Sequence, residues 1–177
     1  MKKILKNFCY SCIVMALFTA GCHSVGPPDP IVELQRDEAP TWSPDGQYIA
    51  YSHYNPETDE HTNPFGLYVL NLETGEHKRI IEGPAFNPDW SPDGEWITWQ
   101  VHYGGKNFGI WVMRIDGSNS KEILSIEINQ TIALDNISPS WSPDSQRIVF
   151  SKPNDDESKV VLWIINRDGS GLQQIAF

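Results

Sequence analysis

One pentapeptide is spelled three times: Trp42-Ser43-Pro44-Asp45-Gly46, Trp90-Ser91-Pro92-Asp93-Gly94 and Trp141-Ser142-Pro143-Asp144-Ser145. The tryptophans lie 48 and then 51 residues apart, and self-similarity at such a period marks stacked supersecondary units. Each copy has the chemistry of a tight turn between strands. Ser at the first position can bond nearby backbone, Pro presets φ near −65° at the second, and Gly at the fourth can turn left-handed without a Cβ clash. Ser145 takes the glycine's place in the third copy. A positive φ there should cost on the order of 1 kcal/mol and make that corner the weakest.

Strand-like runs follow each corner: Gln47 to Ser52, Glu95 to Val101 and Gln146 to Ser151, rich in aromatic and β-branched residues. A further strand follows in every copy, starting at Gly66, Gly109 and Val160, and each is closed by a second turn at Glu73-Thr74-Gly75-Glu76, Asp116-Gly117-Ser118-Asn119 and Arg167-Asp168-Gly169-Ser170-Gly171. Short outer strands are expected at His77 to Ile81, Lys121 to Leu124 and Leu172 to Phe177. With the strand carrying the tryptophan, that makes four per unit. Four short antiparallel strands repeated every ~40 to 50 residues describe a β-propeller blade.

The Trp-Ser-Pro-Asp-Gly corners, with a Gly-(Ile/Leu)-(Tyr/Trp)-Val strand and an Asp-Gly or Thr-Gly turn downstream, resemble the TolB-type (WD40-like) propeller repeat over Ala39 to Phe177. The expected fold class is all-β: three four-stranded antiparallel blades, a partial or oligomer-completed β-propeller. The blades are expected at 39–84, 85–127 and 136–177. The resemblance implies a shared fold but not one activity, since such repeats occur in envelope scaffolds, in propeller domains of oligopeptidases and in some polysaccharide lyases.

Propellers close with about four to eight blades, and an unclosed one leaves the faces of its first and last blades in water. Three resolutions are open: a homodimer completing a six-bladed ring, a sequence that is a fragment of a longer propeller, or blades held open against another protein.

Residues 1–21 carry Lys2, Lys3 and Lys6, an apolar run from Phe8 to Phe18 and then small residues, the layout of a secretory signal peptide. The run is too short to span a bilayer. Ala20-Gly21-Cys22 resembles a bacterial lipobox, which makes Cys22 the expected lipidation site. Thr19 stands where such boxes usually place Leu, which leaves open a free thiol. Cys9 and Cys12 fall inside the cleaved run, so the mature chain has one cysteine and no disulfide framework. Residues 22–38 include Gly26-Pro27-Pro28-Asp29-Pro30, a spacer advancing ~3.1 Å per residue where it is polyproline-like. Ile31-Val32-Glu33-Leu34 reads as a lone outer strand, a spare edge. The implied location is the cell envelope, outer membrane or periplasm-facing in a Gram-negative cell.

Without residues 1–21 the chain keeps ten Lys and Arg against 23 Asp and Glu, a net charge of −13. That argues against nucleic acid and against electrostatic docking on anionic lipid, and is compatible with a basic protein partner, a cation, or plain solubility. Membrane contact is expected only through the lipid anchor.

Binding is expected on the face formed by the long loops: Tyr54 to Pro64, His102 to Asn107, Lys152 to Lys159, and the inter-blade segments 82–89 and 125–138. Its candidate contacts for a protein partner or small ligand are His53, Tyr54, His61, His102 and Tyr103. Two histidines and three carboxylates between His53 and His61 could bind a divalent metal, but the spacing does not recur in the third copy, so no metal and no cofactor are expected. No G-x-S-x-G elbow or hydrolase domain is present in the sequence, and catalytic residues are expected to be none. The alternative is an enzyme or enzyme fragment, or a truncated repeat array. The seven tryptophans, at repeated strand positions, are expected in the core and between blades, with Trp99 and Trp111 unassigned.

Overall fold

The computed structural model describes residues 36–54, 65–104, 107–127 and 137–175. Residues 1–35, with Cys22, most of the spacer and the Ile31–Leu34 run, lie outside the described residues, as does His61.

Among the described residues there are twelve strands in three four-stranded antiparallel sheets. Blade 1 is β1 (Arg36–Trp42), β2 (Tyr48–Tyr54), β3 (Gly66–Asn71) and β4 (His77–Glu82), paired in that order. Blade 2 is β5 (Phe86–Trp90), β6 (Trp96–His102), β7 (Asn107–Arg114) and β8 (Lys121–Glu127), and blade 3 is β9 (Ser140–Trp141), β10 (Arg147–Pro153), β11 (Val160–Asn166) and β12 (Gln173–Gln174). The chain is thus the partial propeller that the repeat implies. Several edges differ from the sequence reading. β1 begins at Arg36, ahead of Ala39, because Arg36 and Asp37 pair with Tyr54 and His53. β8 runs on to Glu127, and among the described residues β12 pairs at Gln173 and Gln174 only.

The corners explain their own sequence. Ser43 Oγ donates to Asp45 Oδ1 at 2.6 Å and accepts the Tyr48 N–H at 2.9 Å, while Asp45 Oδ1 also accepts the Gln47 N–H at 3.0 Å. The Gly46 N–H closes the turn on the Ser43 carbonyl at 2.9 Å, with φ +71° at Gly46. The same bonds recur at Ser91 and Asp93 and at Ser142 and Asp144. The three aspartates are therefore part of the turn, and hydroxyl and amide donors hold the carboxyls of Asp45 and Asp144 below the ordinary value.

A second repeated device escaped the sequence reading. Three residues before each corner tryptophan, Ala39, Asn87 and Ser138 take φ of +50°, +48° and +39°, and a proline follows each one. In β1 and β5 the register shifts at this point, which makes it a β-bulge. Pro40, Pro88 and Pro139 donate no N–H, so the interruption of inner-strand pairing there strands no donor at the proline.

The blades pack through two apolar seams. Between blades 1 and 2 lie Ala50, Leu67, Ala85, Trp90, Ile97, Trp99 and Met113. The larger seam, between blades 2 and 3, is built from side chains such as Trp96, Ile110, Trp141, Ile148, Phe150 and Trp163. Asp89, just before the blade 2 corner, joins all three inner strands. Its Oδ2 accepts the Trp141 N–H at 2.7 Å and Ser140 Oγ at 2.9 Å, and Thr41 Oγ1 reaches Oδ1 at 3.4 Å.

One expectation is overturned at the edge. Trp42 is 62% exposed, whereas Trp90 and Trp141 are buried. Those two pack on the preceding blade, and among the described residues no blade precedes Trp42.

Candidate functional site

β2, β6 and β10 each lead into one of the long-loop segments, of which residues 55–64, 105–106 and 128–136 lie outside the described residues. Tyr54 packs edge-on against Phe65, and Phe65 against Phe86, each pair with centroids 5.4 Å apart, so the end of β2 meets the start of β5. A small pocket of about 180 Å³ lies between Ile126 and Glu127 at the end of β8 and Lys152 to Asp155 at the end of β10.

Of the candidate contact residues, His53, Tyr54, His102 and Tyr103 are described, and each has a partner within its own blade. His53 is buried, with Nδ1 2.6 Å from Asp37 Oδ1 and its ring edge-on to Tyr68. Tyr54 lies under the Arg36 guanidinium, 5.2 Å from its ring. The His102 ring stacks on Phe108 at 4.8 Å. Tyr103 is exposed and its hydroxyl is engaged twice, accepting Trp111 Nε1–H at 2.8 Å and donating to Glu122 Oε1 at 2.9 Å. Burial raises the Tyr103 phenol above its ordinary pKa, and Glu122 adds to the rise against the opposing Trp111 bond. Trp99 and Trp111, unassigned from sequence, stack on each other at 6.1 Å across the β6–β7 pair. The Tyr51 hydroxyl lies 2.7 Å from His77 Nδ1, and burial first, then Asp37 and Tyr68, push its pKa up to about 12. Among the described residues no group of three or more His, Cys, Asp or Glu side chains could hold a metal ion.

A larger cavity lies on the opposite face, among the corners. A groove of about 750 Å³ opens between blades 1 and 2, lined by Asp45, Tyr48, Glu76, Lys78, Trp90 and Ile115 among others. Tyr48 and Trp90 form its aromatic floor, stacked with centroids 6.3 Å apart.

The matching place between blades 2 and 3 is filled. Trp96, at the repeat position of Tyr48, carries the Arg167 guanidinium 4.6 Å above its ring, and the Arg114 guanidinium lies 5.0 Å from the same ring. Arg167 Nη1 lies 3.9 Å from Asp93 Oδ2 and donates to the Ser145 carbonyl at 3.4 Å. Ser145 Oγ accepts the Asp93 N–H at 3.0 Å. Burial alone would raise the Asp93 pKa, but the Ser91 hydroxyl, the Glu95 N–H, Arg167 and Ser145 outweigh it and hold the carboxyl below its ordinary value. Sequence reading missed this cluster. The signal was there at Ser145, which departs from the corner pattern because its hydroxyl serves the neighbouring blade.

Comparison with known proteins follows the same lines. The family model described as TolB beta propeller domain matches residues 35–177. Among solved structures, the putative TolB from Agrobacterium tumefaciens superposes with a TM-score of 0.60 at 25% identity, covering 80% of this chain and 50% of that one. TolB from Acinetobacter baumannii gives a TM-score of 0.60 at 21% identity, over 81% of this chain and 33% of that one. The β-propeller domain of the Trilobed protease from Pyrococcus furiosus gives 0.60 at 22% identity, over 81% and 43%. The chain thus spans half or less of the length of these structures. No protein of curated function matches it.

Proposed function

Since the chain belongs to the TolB β-propeller domain family, we propose that it acts by binding, as a non-catalytic module of the cell envelope that pairs with a second copy of itself to complete a six-bladed ring. The observation that carries this reading is the exposed Trp42. The identical corner residues of blades 2 and 3 are buried on a neighbour, so Trp42 belongs against a blade that the described residues do not provide.

Blade 3 offers the complementary side. Arg147 is exposed and occupies the repeat position of Tyr48 and Trp96, the residues that meet the next blade. Val160 and Leu162, also exposed, extend that face. A guanidinium there suits a partner's indole, and a two-fold dimer covers both open faces at once. Export, and anchoring through Cys22, are part of the same proposal and rest on the layout of residues 1–22.

Light scattering behind a sizing column tests the ring on a soluble chain starting at Ser24. We expect a dimer that Trp42→Glu returns to monomer. A monomer at every concentration would overturn the ring. Cys22→Ser should move the full chain from membranes to the soluble fraction, and unchanged membrane association would refute the anchor. Turnover of a peptide or polysaccharide substrate would overturn the non-catalytic reading.

A further inference from the structure

We propose that the corner-face groove between blades 1 and 2 is a docking site for an arginine side chain presented by a basic protein segment. This deepens the binding-module reading, and rests on it only in requiring that a protein partner exists.

The repeat supplies its own template. In the blade 2–3 seam an arginine of the chain lies on the Trp96 ring at 4.6 Å and faces Asp93 Oδ2 at 3.9 Å. In the blade 1–2 seam the equivalent aromatic is Tyr48 and the equivalent carboxylate is Asp45, and both line the groove. At the place of Arg167 stands Ile115, and at the place of Arg114 stands Asn71, so neither guanidinium is supplied. Gly94 replaces Ser145 and removes a side chain from the rim. The groove therefore keeps a ring face and carboxylates of the kind that hold a guanidinium in the other seam, with about 750 Å³ open above them.

Charge agrees. Both bonds the corner makes with Asp45 go to Oδ1, from Ser43 and from Gln47. The charged lining is Asp45, Glu76 and Asp93 against Lys78, on a chain of net charge −10. An arginine fits this site better than a lysine, because a planar guanidinium can stack on Tyr48 while its edge meets a carboxylate. An aliphatic ligand would leave the carboxylates of Asp45 and Glu76 unused.

The test is a nuclear magnetic resonance titration of the full chain with the peptide acetyl-Gly-Arg-Gly-amide, following the Trp90 indole N–H, which donates to the Gly94 carbonyl at the groove. A saturable shift is expected, with at least ~10-fold weaker binding for the citrulline peptide, which keeps the shape and loses the charge, as the loss of ~1.4 kcal/mol would give. Ile115→Arg, which plugs the groove as Arg167 plugs the other seam, should abolish the shift. Should that variant misfold, Asp45→Asn keeps the Oδ1 acceptor of the turn and should weaken binding ~5-fold, within the range of one exposed cation–π or ion-pair contact. Equal binding of the citrulline peptide, or undiminished binding by Ile115→Arg, would overturn the proposal. So would an unmoved Trp90 signal, and if the chain still dimerises in that case, the binding-module reading survives while this site does not.

Discussion

The two inter-blade seams are built from the same repeat, yet they solve the same junction differently. Between blades 2 and 3 an aromatic ring is covered by guanidinium groups from Arg114 and Arg167, and Ser145 ties one corner to the next. Between blades 1 and 2 the ring is Tyr48, the covering residues are shorter, and a groove remains. The sheet frame tolerates both, because strand pairing and the buried aliphatic layer set the blade geometry while the corner-face positions remain free to vary. The difference is then a matter of single side chains, and single substitutions can move one seam toward the other.

The largest effect should come from the apolar layer of the filled seam. Phe150 is 1% exposed among Ile148, Trp163 and their neighbours, so Phe150→Ala should cost about 3–5 kcal/mol in urea unfolding. A loss under about 1 kcal/mol would mean that blade 3 is not held by this seam. Arg167→Ala should come next, at about 1–2 kcal/mol for a partly desolvated stack on Trp96. It should also open a groove like that of the first seam, and Arg167→Lys should recover only part of the loss, since an ammonium cannot stack as a plane. Full recovery by lysine would show that charge alone fills the seam.

The corners and most strands were legible in the sequence because their causes are local. Ser, Pro, Asp and Gly act on backbone within five residues, and alternation marks a half-buried strand wherever it occurs. The seams were not, because Arg167 meets Trp96 and Ser145 meets Asp93 across more than fifty residues. Trp42 shows the limit most clearly: nothing in its own pentapeptide distinguishes it from Trp90, and its exposure depends on a neighbour. The surroundings of His53 were hidden for a related reason. His53 looks like a loop histidine, but Asp37, in a stretch read as spacer, pairs across from it and occupies its ring nitrogen. The left-handed residue at Ala39, Asn87 and Ser138 was readable after all, through the proline that follows each of them.

Acid should separate the seams without large energies. The Asp93 carboxyl is held below its ordinary value of 3.8, so the stability it contributes is present above that pH and is lost as pH falls through the lowered folded value. Asp45 is lowered by the Ser43 hydroxyl and the Gln47 N–H, with no arginine contribution. In a titration of the carboxyl carbons, Arg167→Ala and high salt should both raise the Asp93 midpoint and leave Asp45 where it is. Equal movement of the two would mean that Arg167 does not distinguish the corners electrostatically.

The smallest and most discriminating change is at Ser145 itself. Its φ is +57°, a conformation that costs a residue with a Cβ roughly 1 kcal/mol and costs glycine little. Its hydroxyl accepts the Asp93 N–H, a bond worth about 1 kcal/mol. Ser145→Gly removes both the strain and the bond, so the net change in unfolding free energy should fall within about 0.5 kcal/mol of zero. Ser145→Ala removes the bond and keeps the strain, and should cost about 1–2 kcal/mol, with the Asp93 N–H left lacking its acceptor. Glycine scoring clearly better than serine would mean that the cross-blade bond contributes little and that the third corner is strained to no purpose. Alanine scoring clearly worse than glycine, with glycine equal to serine, is the result expected if the third corner traded ease of turning for a tie to its neighbour.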